Sequence, residues 1–364
     1  MNNNMKKFSL GLAFVIVFLL GIIIGFGVSK MQGKKQQTLV SNTEVDFSQF
    51  AEEESTEAVQ PATEVSSTTE TEQQSTEATP EETEDGDDED NGDDEEVSDA
   101  PYFGDFDKDE CARLNAEREK LYAQPDSYEN TMAIAEIDKQ IVALNTYNFK
   151  NKKIAFLGDS ITLGKGGNVL GQDQYFGFDD YMEEMLEIGE KVNVGSGGST
   201  IGKYNDDSCF ERRAKDKIEK DTDIIIVMGG INDYINGKKY FGEMRNLTDG
   251  ETYCGAVDKL FYTLHERWDA DVFVVTPYGL EIEKEGKDKG IEFSEYIDAQ
   301  TELYKKYNLN LFNLYETGFL NTNVPEIKEK LSDDGIHLNN EGYKLLGQHI
   351  AADLVTYYGN WQYR

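Results

Sequence analysis

Three histidines occur in the 364 residues, at positions 265, 337 and 349, and only one has a setting suited to proton transfer. His337 lies in Ser332-Asp333-Asp334-Gly335-Ile336-His337-Leu338-Asn339, a polar stretch that reads as a loop, with Asp334 three residues upstream. In a tight turn this spacing lets the carboxylate accept the imidazole N–H, which fixes the tautomer and stabilises the imidazolium once the ring takes up a proton. His265, in LFYTLHERW, and His349, in LLGQHIAADL, sit in amphipathic helical stretches, where packing or a surface position is the default. A base needs a nucleophile to serve, and Gly158-Asp159-Ser160 offers one at the end of an apolar run. A hydroxyl placed where strand becomes helix gains from the free N–H groups and dipole of the helix start, which favour developing negative charge. Each motif also has a plainer reading, Ser160 as a helix cap and His337 as a solvated loop residue.

A carbonyl under attack by a serine develops charge on its oxygen, and hydrogen-bond donors must be aimed at it. Two further run ends can supply them. The first is Asn193-Val194-Gly195-Ser196-Gly197-Gly198-Ser199-Thr200, where glycine lets a backbone N–H approach a substrate closely. The second is Gly229-Gly230-Ile231-Asn232-Asp233, where the Asn232 amide can donate. Ordinary turn chemistry is the alternative for both, since glycine and asparagine are common turn formers.

In combination these four pieces resemble, in order and separation, the four blocks of the SGNH (GDSL-like) hydrolase superfamily over roughly Lys152 to Tyr358. Ser160 matches the family nucleophile, Gly198 the second-block glycine and Asn232 the third-block asparagine, while Asp334 and His337 match the last block. Adjacent glycines leave Gly195 and Gly197 open as donors in place of Gly198. The resemblance implies a doubly wound, flavodoxin-like α/β domain with a five-stranded parallel sheet and helices on both faces. It implies two-step ester hydrolysis with no metal and no cofactor. Ser160 attacks and His337, oriented by Asp334, moves the proton, while the N–H groups of Ser160 and Gly198 join Asn232 as the oxyanion hole. The pairing of His337 with Ser160 across the fold is implied by the resemblance alone.

The elements that must position these groups are legible in the hydropathy. KIAFLGDS, KVNVGS, DIIIVMGG, DVFVVTPYG and NLNLFNL alternate with helical stretches, the pattern of a parallel sheet with crossover helices. The runs are apolar throughout, as expected of strands buried on both faces. Residues 149–364 form the expected hydrolase domain. Ahead of it, residues 105–148 carry apolar positions at three- and four-residue spacing, broken at Pro125 and Asp126, which predicts a helical hairpin that either packs on the domain or forms a stalk. Two heptads are too few to argue a coiled coil, and the sequence fixes no oligomeric state.

The remainder is tether and spacer. Phe8 to Val28 is an uncharged apolar run of about 21 residues, enough to cross a bilayer, and no A-x-A-like cleavage site follows. It predicts a transmembrane signal anchor within residues 1–30, with membrane contact through residues 8–28. Flanking lysines leave its orientation undecided, and an outward-facing enzyme is expected from the anchor's place at the chain start. Residues 31–104 form an expected disordered linker, with 23 acidic and no basic residues between Ser41 and Ala100. DGDDEDNGDDEE fits no EF-hand register and reads as a solvated charge run that extends the chain.

The formal net charge is −36, and residues 149–364 alone hold 38 acidic against 25 basic residues. That excludes nucleic acid as an expected partner, because phosphate binding needs a basic face. Cys111, Cys209 and Cys254 fit neither a zinc site nor a dense disulfide scaffold; buried thiols are the plain reading and a Cys209–Cys254 bridge the alternative. The expected substrate is a small-molecule or polysaccharide ester, with acetyl or another short acyl group on a cell-wall or environmental carbohydrate as the leading case. Tyr175, Phe176, Phe178, Tyr181, Tyr234, Tyr240 and Tyr278 are candidate sugar-stacking rings, with core packing as the equal alternative. Lipid ester or thioester hydrolysis, acyl transfer to a sugar and a non-catalytic scaffold are the competing functions.

Overall fold

A computed structural model of the protein describes residues 100–167, 175–202, 209–237, 240–285 and 290–362. The apolar run 8–28 and the linker as far as residue 99 lie outside the described residues. Among the described residues no helix is long and apolar enough to cross a membrane.

The five apolar runs form five strands, β1 (Lys153–Gly158), β2 (Glu190–Gly195), β3 (Ile224–Met228), β4 (Asp271–Val275) and β5 (Asn310–Phe312). All neighbours are parallel and the order is β2-β1-β3-β4-β5. β1 and β3 are buried along their whole length, as continuous Ile, Val and Leu runs require. The expectation of burial on both faces fails for β2 and β5, which are partly exposed because they are the sheet edges.

Ahead of the sheet come α1 (Lys108–Tyr122) and α2 (Tyr128–Val142). The crossovers are α3 (Phe178–Leu186), α4 (Phe210–Lys217), α5 (Ile231–Asn236), α6 (Tyr253–Arg267) and α7 (Phe293–Lys306), and the chain closes with α8 (Leu314–Thr317), α9 (Pro325–Leu331) and α10 (Asn340–Trp361). Parallel crossovers are right-handed, so the step from β1 to β2 and the return to β3 place α3 and α4 on opposite faces. α10 packs against α3 and α2, while α6 packs with α4 and α7, so both faces are covered.

The hairpin packs on the domain; it is not a stalk. Asp107 caps α1 by accepting the Glu110 N–H, and Ser127 caps α2 by accepting that of Asn130, each satisfying a helix-start donor. Leu114, Ile134 and Ile141 are buried in the same hydrophobic core as the strands. Polar contacts fix the docking: Arg118 donates to Asp138 at 2.7 Å and to Asp353, Asp138 also bonds His349 at 2.7 Å, and Gln348 donates to the Ala135 carbonyl. All three cysteines are buried and free.

Candidate active site

The strand order reverses between β2-β1 and β1-β3, and in open α/β sheets the crevice forms where loops leave the carboxyl ends at such a point. Ser160 follows β1, Gly198 follows β2 and Asn232 follows β3. The last loop, between α9 and α10, brings His337 to them: its Nε2 lies 2.8 Å from Ser160 Oγ. On its other side His337 Nδ1 lies 2.6 Å from Asp334 Oδ2. With Nδ1–H donating to the carboxylate, Nε2 carries the lone pair that accepts the serine hydroxyl.

Asp334 is held by its own loop. Its Oδ1 accepts the N–H of Ile336 at 2.8 Å and of His337 at 2.7 Å, a local turn that leaves Oδ2 for the ring. Partial burial would raise this carboxyl; the ring bond, the His337 charge and the two backbone donors outweigh it and bring it down to about 2. The loop is pinned further by Ser332, which accepts the Gly335 N–H and donates to the His337 carbonyl, and by Thr322, which donates to the Gly335 carbonyl at 2.6 Å. Gly335 turns with φ +83°, a conformation that favours glycine. Tyr278, buried after β4, donates its hydroxyl to the Ile336 carbonyl.

The residues after Ser160 form a tight turn where a helix was expected. Its bonds run from Leu163 N–H to the Asp159 carbonyl and from Lys165 N–H to the Ser160 carbonyl, both 3.0 Å. Gly164 and Gly166, at φ +84° and +98°, end it. Gly166 also lets this turn pass close to the His337 loop, since a Cβ there would stand 2.5 Å from the Leu338 carbonyl oxygen.

Of the three candidate glycine donors after β2, Gly195 is already engaged, its N–H donating to Asn193 Oδ1 at 2.8 Å. Gly198 has φ +68° and open space where a Cβ would stand. Asn232 Nδ2 donates to the Ser199 carbonyl at 2.9 Å, which uses one of its two hydrogens. The adjacent Asp233 is fully buried and accepts the N–H groups of Ile201 and Gly202, tying the second loop to the third.

Two charged residues beneath the site carried no legible signal. Arg213 of α4 is buried and donates to the Gly158 carbonyl and Ser199 Oγ, each at 2.8 Å, and to the Val194 carbonyl. It thus braces the ends of β1 and β2 and the residue beside Gly198. Asp159 is also buried; Oδ1 accepts the Ile161 N–H at 3.0 Å while Oδ2 has no hydrogen-bond partner. Burial pushes its carboxyl up to about 6, against the pull of the Ile161 N–H and the His337 charge. Of the rings singled out as sugar platforms, Phe178, Tyr234 and Tyr278 are core residues, and Tyr175 is exposed. His265 is exposed on α6, and among the described residues no cluster of three or more His, Cys, Asp or Glu is arranged to hold a metal.

Residues 156–345 match the family model described as GDSL-like Lipase/Acylhydrolase. No curated protein matches the chain. One solved crystal structure shares 28% identity over 57% of this chain and 97% of its own, with a TM-score of 0.50, in keeping with the five-stranded fold. A protein from Lactobacillus plantarum shares 25% identity over 56% of this chain and 96% of its own, with a TM-score of 0.48. An acetyl xylan esterase, AlAXEase, shares 21% identity over 56% and 99%, with a TM-score of 0.41.

Proposed function

Because the chain belongs to the GDSL-like lipase/acylhydrolase family and is an ester-hydrolysing enzyme, we propose that Ser160, His337 and Asp334 are its catalytic triad. The observation that carries this is the unbroken relay of 2.8 Å and 2.6 Å at the point where strand order reverses. Ser160 Oγ attacks the ester carbonyl as its proton passes to His337 Nε2. The tetrahedral oxyanion is received by the N–H groups of Ser160 and Gly198 and by the second amide hydrogen of Asn232. On collapse the C–O bond to the alcohol breaks and His337 returns the proton to the leaving oxygen. Water then attacks the acyl-serine, giving its proton to His337, and the carboxylic acid departs as Ser160 is reprotonated. Asp334 stays ionised throughout and stabilises the imidazolium.

The acyl group in this reading is short, acetyl being the leading case, and the alcohol belongs to a cell-wall or environmental carbohydrate. Support comes from the sequence: an uncharged 8–28 segment able to anchor the chain in the membrane and an acidic linker that holds the domain off an anionic surface. The catalytic domain stands outside the cytoplasm in this arrangement.

Wild type and Ser160→Ala are compared on an aryl acetate and a long-chain aryl ester. Hydrolysis of the acetate by wild type alone is expected; equal residual activity in both proteins removes Ser160 as nucleophile, and preference for the long chain removes the short-acyl assignment. Protease added to intact cells is expected to digest the domain, and protection would reverse the orientation.

A further inference from the structure

A cavity of about 600 Å³ lies where α1 meets the carboxyl half of α10 and the end of β5. His349 lines it, nine residues into α10 from Asn340, so about 14 Å of helix separates it from the end of the His337 loop. Its side chain is nine-tenths or more buried, at 2% residue exposure, stacked on Phe319 at 4.3 Å between ring centres. Its Nδ1 is committed to Asp138, and Nε2, left as an acceptor, has no hydrogen-bond partner among the described residues. Arg118, on the same wall, gives its two terminal nitrogens to Asp138 and Asp353, while its buried Nε has no partner. His349 lines the cavity, and its Nε2, which has no protein partner among the described residues, is open to a polar ligand there.

The chemistry of the wall selects the ligand. Glu316 and Asp353 offer carboxylates, Asn313 and Asn360 amides, and Tyr122 and Tyr357 half-buried rings. With Glu119 as a third carboxylate and the guanidinium already paired, an anion is repelled. Leu311, Phe312 and Leu314 add an apolar part to the wall. Acceptors and donors mixed beside ring faces match a neutral ring with many hydroxyls, and the volume is that of an ordinary ligand site. We propose that this cavity is a saccharide-binding site separate from Ser160, which holds the carbohydrate chain while its ester is cleaved. Its role in turnover rests on the carbohydrate-ester reading above; its existence does not.

Full-length Ser160→Ala protein in detergent micelles is titrated calorimetrically with three ester-free probes: xylohexaose, cellohexaose and chitohexaose. One of them is expected to bind, and Asn360→Ala and Glu316→Gln are each expected to weaken it by about tenfold or more, at unchanged melting temperature. The same two changes made in the Ser160-containing protein should leave aryl acetate hydrolysis unaltered. The proposal is overturned if no probe binds at millimolar concentration. It is also overturned if binding survives both changes, or if, in the Ser160-containing protein, a phosphonate on Ser160 abolishes it. Because calorimetry reads the cavity and the aryl acetate reads Ser160, loss of either assignment leaves the other standing.

Discussion

Replacing Asp334 with asparagine should disable the base without disturbing its position. In the native loop Oδ1 takes two backbone N–H groups, at 2.8 Å and 2.7 Å, and Oδ2 takes the His337 ring. Asparagine has a single carbonyl oxygen, and the two backbone donors hold it in the Oδ1 position. Its NH2 then faces Nδ1, which must become an acceptor, so the ring proton moves to Nε2. Ser160 Oγ, 2.8 Å away, loses its lone-pair partner. The equivalent change in a serine protease costs about 10,000-fold in kcat. The Asp334 side chain is 39% exposed here and water screens part of its charge, so about a thousandfold, or about 4 kcal/mol in the barrier, is expected. Steady-state hydrolysis of an aryl acetate measures the loss, and circular dichroism checks that the loop and fold survive. A loss under about tenfold in a folded variant would falsify the tautomer argument. The carboxyl, held at about 2 against an ordinary 3.8, gives stability that is fully present above pH 3.8 and fades as pH falls towards 2. It should therefore add no inflection to the activity profile at neutral pH.

Asp159, lifted to about 6 from 3.8, carries the opposite sign: the fold is favoured while the group is protonated and that advantage is lost as pH rises through 6. Asp159→Asn should raise stability by about 1–3 kcal/mol at pH 8 and by nothing near pH 3, which denaturant melts at the two pH values would show. Arg213→Met removes a donor shared by the Gly158 and Val194 carbonyls and Ser199; Gly158 keeps the Ser196 N–H and Ser199 keeps the Ser196 carbonyl, so the cost is about 1–3 kcal/mol in all. If the variant folds, kcat should fall with KM little changed, because the loops presenting Ser160 and Gly198 lose their brace; a KM effect alone would refute this. Deleting residues 100–148 removes the buried Leu114, Ile134 and Ile141, at about 1.5–3 kcal/mol each, and strips His349 and Gln348 of partners. The shortened domain should fail to melt cooperatively, and a native-like transition would show the hairpin to be dispensable.

Much of the candidate site was legible because its patterns are local. G-D-S at a strand end, D-x-x-H in a loop and continuous apolar runs are short-range patterns, and the Asp334 turn is made within four residues. The hairpin too was legible as two helices, yet whether it packed or projected depended on contacts with α10 more than 200 residues away in sequence. The sequence could not choose among three glycines, and the choice narrowed only when Asn193 was seen to occupy the Gly195 N–H. Arg213 sits in the polar run FERRAKDK, where nothing marks it as the residue that turns inward. Tyr278 was visible as a ring with stacking and core packing equally open, and the choice fell to core packing through a hydroxyl partner 58 residues further on.

The sequence by itself determined which side chains are candidates for the chemistry, since a nucleophile, a base and an orienting acid are offered by residue type and near-neighbour spacing. It also determined that the sheet is parallel, through the length and continuity of its apolar runs. Only the tertiary structure decided that His337 meets Ser160, 177 residues away. It decided as well which buried charges support that meeting and that a second histidine faces a cavity of its own. Contacts of that range are set by how layers pack, and packing is a property of the whole chain that no local window contains.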